Sequence, residues 1–151
     1  MKKAVIAAVL SLLLVTTLRG VALCEAQKLG LRENPHTWGV PDPTSAWAGF
    51  VILNNDNEAD EVVVVVSLKK GVADRTYGVF LEEYKSETPD GSSPQWTYLG
   101  DLTTNIQDKG NFYARVSRSA DTCYLQIVVS YPWGSWGAQS FGTDIATVTI
   151  E

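Results

Sequence analysis

The chain has 151 residues, a net charge of −5 and two cysteines. The acidic balance argues against nucleic acid, whose binders present a basic face, and against anionic membrane surfaces. Two cysteines exclude a disulfide-stapled scaffold, and a single histidine excludes a histidine-rich zinc or copper centre.

Lys2 and Lys3 precede an uncharged run, Ala4 to Leu18, built mostly from Ala, Val, Ile and Leu. As a helix it would reach roughly 22 Å at about 1.5 Å per residue, short of a hydrocarbon core of about 30 Å. That length, closed by Arg19, matches the apolar segment of a secretory signal. Residues 1–26 are therefore expected to be a cleaved leader, with Cys24-Glu25-Ala26 placing small residues at −3 and −1 for a cut before Gln27. A cut before Leu23, lipidation of Cys24, or retention of the leader as an anchor are the alternatives. Only the last two would hold the protein on a membrane. The expected location is secreted or extracytoplasmic, in a periplasm or at a cell surface. The cut before Gln27 removes Lys2, Lys3, Arg19 and Glu25, which takes the net charge from −5 to −7.

That cut also removes Cys24 and leaves Cys123 alone, whereas a cut before Leu23 would permit a Cys24–Cys123 disulfide. Cys123 shares a strand face with Leu125, Ile127 and Val129, so it reads as a small buried apolar residue.

Residues 27–46, with Pro35, Pro41 and Pro43, read as an extended arm. From Trp47 to the end, residues 47–151, no stretch has helical spacing, and strand-like runs alternate with turn clusters. The runs are Trp47 to Leu53, Val62 to Leu68, Arg75 to Tyr84, Trp96 to Leu102, Asn111 to Arg118, Thr122 to Tyr131 and Asp144 to Ile150. The second opens with five valines, which suggests a strand covered on both faces. In the third, Tyr77, Val79 and Leu81 share a face. In the fifth, Phe112, Ala114 and Val116 point in, and Tyr113, Arg115 and Ser117 point out. Asn111–Arg118 and Thr122–Tyr131 are separated by three residues and are expected to pair as a hairpin. Seven short strands predict an all-β fold, an antiparallel two-sheet immunoglobulin-like β-sandwich, with a small β-barrel as the alternative.

Residues Val62 to Phe112 carry a layout shared with known modules. An apolar strand closes in Leu68-Lys69-Lys70-Gly71, followed by Tyr77-Gly78-Val79-Phe80-Leu81, then Leu99-Gly100-Asp101-Leu102-Thr103-Thr104-Asn105, and Asn111-Phe112 after a glycine turn. This resembles stand-alone immunoglobulin-like or chordin-repeat-like modules, and the sandwich of copper/zinc superoxide dismutase. The resemblance covers about a third of the chain and implies a fold only. The dismutase metal site is built of histidines, and the one histidine here, His36, lies on the arm.

No GxSxG, P-loop or dinucleotide fingerprint is present. Glu82 and Glu83 are neighbours on a strand and so point to opposite faces, which prevents them from acting on one substrate. In the acidic stretch Asn54 to Glu61, the alternating Asp56, Glu58 and Asp60 are candidate calcium ligands. The same composition also suits a solvated turn. The loop Tyr131-Pro132-Trp133-Gly134-Ser135-Trp136-Gly137 is the most suggestive binding feature. Trp133 and Trp136, with Tyr131 and Trp96, would form a platform for sugar rings or a protein partner, unless the Trp side chains plug the end of the domain.

The sequence thus points to an exported, non-catalytic binding module without a resident cofactor, its partner an extracytoplasmic protein or glycan. A structural or assembly module, using the valine strand or the arm for strand addition, is the alternative. A hydrolase is the third reading.

Overall fold

A computed structural model describes residues 26–34, 40–56, 59–88, 93–118, 121–131 and 139–150. Residues 1–25, which make up most of the expected leader and include Cys24, lie outside the described residues, as does His36. Among the described residues the chain forms nine strands and no helix. They are β1 (Gln27–Glu33), β2 (Trp47–Asp56), β3 (Glu61–Leu68), β4 (Thr76–Tyr84), β5 (Gln95–Thr103), β6 (Gly110–Ser117), β7 (Thr122–Tyr131), β8 (Gln139–Gly142) and β9 (Ala146–Thr149).

The strands join one antiparallel sheet in the order β5-β4-β7-β8-β1-β2-β3-β6, and β9 pairs with β7 alongside β8. The terminal strands β5 and β6 touch without a hydrogen-bonded ladder, so the sheet nearly closes into a barrel. A Cβ at Gly110 of β6 would collide with the Leu102 side chain and the Thr103 carbonyl of β5, which is why glycine sits at that contact. The all-β class is as expected; the hydrogen-bonded path is one sheet, which partly fits the barrel alternative and does not by itself show the two separate sheets of the expected sandwich. The difference lies in β1, which pairs with β2 on one side and β8 on the other and so laces the two halves together. Gln27–Glu33, expected as part of an arm ahead of the domain, is therefore a strand inside the sheet.

Alternation with period 2 fills the interior. Val62, Val64, Val66 and Leu68 from β3 meet Tyr77, Val79 and Leu81 from β4 and Leu125, Ile127 and Val129 from β7 in one apolar cluster. Burying each such side chain contributes about 1.5–3 kcal/mol. Cys123 joins this cluster, and its burial pushes the thiol pKa up. Phe112 and Val116 of β6 pack against it, with Tyr113, Arg115 and Ser117 outward as the alternation predicts.

The outer faces differ from the sequence expectation. The valine strand β3 is fully buried on one face only, since Val63 and Val65 are half-exposed. The strands covered on both faces are β4 and β7, where Phe80, Glu82, Gln126, Val128 and Ser130 are buried on the side away from the core. Nor do β6 and β7 form a hairpin: β6 pairs with β3, and β7 with β4, β8 and β9. Just after β6, Arg118 Nη2 lies 3.8 Å from Glu83 of β4. Both edges of β3 are laddered, to β2 and β6, so the valine strand has no edge free for strand addition. The edge of β9 away from β7 is satisfied by side chains: Gln27 Nε2 donates to the Thr147 carbonyl at 2.7 Å, and Asn55 Nδ2 to the Thr149 carbonyl at 2.6 Å.

Candidate binding face

The two halves of the sheet treat their outer faces differently. On β4 and β7 the outer residues are sealed, and Pro41 lies over Gly142 of β8. On β1, β2, β3 and β6 the outer face is open. The register sets Gly30, Phe50, Ser67 and Asn111 in one row across these four strands, and Lys28, Ile52, Val65 and Tyr113 in the next. Trp47 is 54% exposed and Tyr113 is 58% exposed, while Phe50, Ile52, Val63 and Val65 are half-buried. Residues that alternate with core positions on a half-covered sheet are normally polar, so the apolar content of this outer face is unusual.

Three cations are seated on the aromatic rings of this face. The Lys28 ammonium lies 4.6 Å and the Lys69 ammonium 5.1 Å from the centre of the Phe50 ring, and the Arg32 guanidinium lies 4.5 Å from that of Trp47. Trp47 reaches this position because Gly30 has no side chain: a Cβ there would overlap the indole. None of the three cations forms an ion pair among the described residues.

At the far end of the face, Arg115 Nη1 donates to Asp56 Oδ2 at 3.1 Å and to Glu61 Oε2 at 2.9 Å. Of the candidate calcium ligands, Asp56 is thus engaged by Arg115. Asp60 takes a left-handed turn conformation with φ of 50°, and its carbonyl accepts from the Arg118 N–H. Glu58 lies outside the described residues. Among the described residues no three His, Cys, Asp or Glu side chains converge as a metal site.

Trp133 and Trp136 also lie outside the described residues. Trp96 and Tyr131 are not brought together. Trp96 is 51% exposed on the outer side of β5, across from Glu82 and edge-on to Phe80 at 5.9 Å. Tyr131 points to the inner side of β7, edge-on to Tyr77 with the Arg75 guanidinium over its ring. Strand alternation puts the two on opposite faces, and they sit at different levels of the sheet.

Glu82 is fully buried, and burial raises its pKa. Its Oε2 lies 3.0 Å from the Tyr84 hydroxyl, which is also 2.8 Å from Gln126 Oε1. Gln126 Nε2 donates to the Thr143 carbonyl at 2.7 Å, which fixes Oε1 as an acceptor. The Tyr84 hydroxyl has one proton, so both of its contacts are hydrogen bonds only if Glu82 is a neutral acid donating to it. Glu83 is half-exposed and on the other face, so the two carboxyls do not form a catalytic pair. Beside them, a polar cleft of about 320 Å³ is bounded by Glu83, Tyr84, Lys85, Gln95 and Tyr124.

Sequence reasoning picked out Trp47 and Phe50 only as strand residues. The signal available was the cation–aromatic content of the outer positions, Lys28 and Arg32 against Trp47 and Phe50. That signal becomes legible only once β1 is known to pair with β2. No family model, curated protein or solved structure matches the chain.

Proposed function

We propose that the chain is an exported, non-catalytic binding module that takes an acidic protein surface on the open face of β1, β2, β3 and β6. The observation that carries this reading is the set of three ring-seated cations, Lys28, Arg32 and Lys69, none of which forms a direct ion pair among the described residues, although Arg32 acts electrostatically on the Asp42 carboxyl. A cation held over an aromatic ring is already positioned, so little side-chain entropy is lost when an anion meets it. On a chain of net charge −5, such a cluster favours an acidic partner by electrostatic complementarity. The apolar rows around Phe50 and Ile52 supply the desolvated centre that protein interfaces use. A neutral sugar suits the face less well, because Trp47 lies against Gly30 with Arg32 over it, and Phe50 already carries two ammonium groups. Export is supported by the Lys2-Lys3 leader and its short apolar run.

The finer reading of the fold follows the strand pairing. We read β2-β3-β6 and β5-β4-β7-β8 as the two layers of an immunoglobulin-like sandwich, laced at one side by β1. Support comes from the Greek-key pairs β3 with β6 and β4 with β7.

The test uses poly-L-glutamate as a probe, followed by tryptophan fluorescence and calorimetry. Saturable binding that weakens with salt is expected, and Lys28→Glu combined with Lys69→Glu is expected to remove it while the fold persists. Undiminished binding by the double variant would sink the proposal.

A further inference from the structure

The open face is electrically polar along its length. Lys28, Arg32 and Lys69 gather around Trp47 and Phe50 at one end. The β2–β3 turn, with Asp56, Asp60 and Glu61, forms the other, where Arg115 is already shared by Asp56 and Glu61. Phe50 and Asp56 are six residues apart on β2, roughly 20 Å at about 3.3 Å per residue. Between the ends, the outward side chains of Ile52, Val63 and Val65 on β2 and β3 carry no charge, with Lys28 of β1 and Arg115 of β6 flanking them at the two sides.

We propose that the acidic surface this face takes is that of a second copy of the chain, docked face to face with its strands reversed. A two-fold axis lying between the faces and crossing the strands sets each basic end against the acidic turn of the other copy. The same axis brings the uncharged centre onto its own image. Such an interface is isologous, the commonest closed symmetry, and the basic cluster of each copy meets the acidic turn of the other, where Arg115 is already held by Asp56 and Glu61 of its own chain. Two sheets stack this way about 10 Å apart. Four strands at about 4.8 Å spacing and roughly 20 Å of length give a footprint smaller than the about 800 Å² per partner of a stable complex. The dimer therefore dissociates on dilution. This inference rests on the reading of the face as protein-binding and names the partner.

Sedimentation equilibrium of the purified protein from roughly 1 μM to 1 mM, where weak association is resolved, tests it. The mass is expected to climb toward twice that of the monomer, and to fall with added salt. Lys69→Glu and Glu61→Lys are each expected to weaken association about tenfold or more. An equimolar mixture of the two variants is expected to restore it, because each reversed end then faces an opposite charge. Circular dichroism checks the fold of each variant, and the exposed Lys28→Glu replaces Lys69→Glu if that variant does not fold. A wild-type monomer throughout, association indifferent to both reversals, or a mixture that stays monomeric overturns the proposal. If the monomeric protein still binds poly-L-glutamate through Lys28 and Lys69, the dimer alone is lost. If that binding is absent too, the reading of the face falls with it.

Discussion

The Tyr84 hydroxyl lies 3.0 Å from Glu82 Oε2 on the face of β4 that points away from the core. Across the ladders Glu82 faces Trp96 on β5 and Gln126 on β7, neither of which carries a charge. Desolvation in that setting raises the pKa of the Glu82 carboxyl and so favours its neutral form, which can donate where a carboxylate cannot.

Stability should therefore fall as pH rises. The folded pKa of Glu82 is raised above its ordinary value. Above that ordinary value the unfolded chain gives up the proton and the folded chain keeps it, so unfolding gains until the folded pKa is passed. Glu82→Gln keeps a donor to Tyr84 and removes the titration. Urea midpoints measured from about pH 5 to pH 8 are expected to decline for the wild type and to decline less for the variant. Parallel slopes would contradict the assignment.

Tyr84→Phe removes the hydroxyl that joins Glu82 to Gln126 and leaves Glu82 Oε2 buried without its donor–acceptor partner. The expected loss is about 1–3 kcal/mol. Equilibrium denaturation at neutral pH reads it directly. A loss near zero would mean that water or a side-chain shift replaces the hydroxyl.

The two faces of β3 are separated by one substitution made at adjacent positions. Val64 is fully buried and Val65 is half-exposed. Val64→Thr places a hydroxyl in the apolar interior and is expected to cost about 1–3 kcal/mol. Val65→Thr is expected to stay within about 0.5 kcal/mol. Equal effects at the two positions would contradict the open outer face.

Gly30→Ala tests the seat of Trp47. The new Cβ would overlap the indole, so the ring must swing away and leave Arg32. Because Trp47 is largely exposed, the expected stability change is small, about 1 kcal/mol or less. The near-ultraviolet circular dichroism is expected to change, and poly-L-glutamate is expected to bind more weakly. Unaltered spectra and binding would show that the indole is not held there.

The existence of most strands was legible in the sequence, and so were their inward faces. Tyr77, Val79 and Leu81, or Ala146, Val148 and Ile150, alternate with a period that the backbone imposes on any strand. Two strands escaped. β1 carries Lys28, Gly30 and Arg32 and precedes prolines, so its composition resembles a linker. β8 has only four residues and ends in Gly142. The tight-hairpin expectation for β6 and β7 failed because closeness in sequence makes pairing cheap without making it best. The ladder of β6 with β3 aligns eight residue pairs, Glu61–Ser117 through Leu68–Gly110.

Local chemistry thus determined that this chain folds as strands, which side of each strand is apolar, and that Glu82 and Glu83 part company. The tertiary structure decided which outer faces are sealed and which stay open. Two strands, β3 and β4, both carry apolar residues on both faces, Val62 to Val66 and Val79 to Leu81. One keeps its outer side half-exposed and the other is buried on both sides. Burial of an outer face depends on what the rest of the chain lays over it, a property of contacts distant in sequence. The same non-local pairing gathers Lys28 and Arg32 of β1 and Lys69, just past β3, around Trp47 and Phe50 of β2, a cluster that no single stretch encodes.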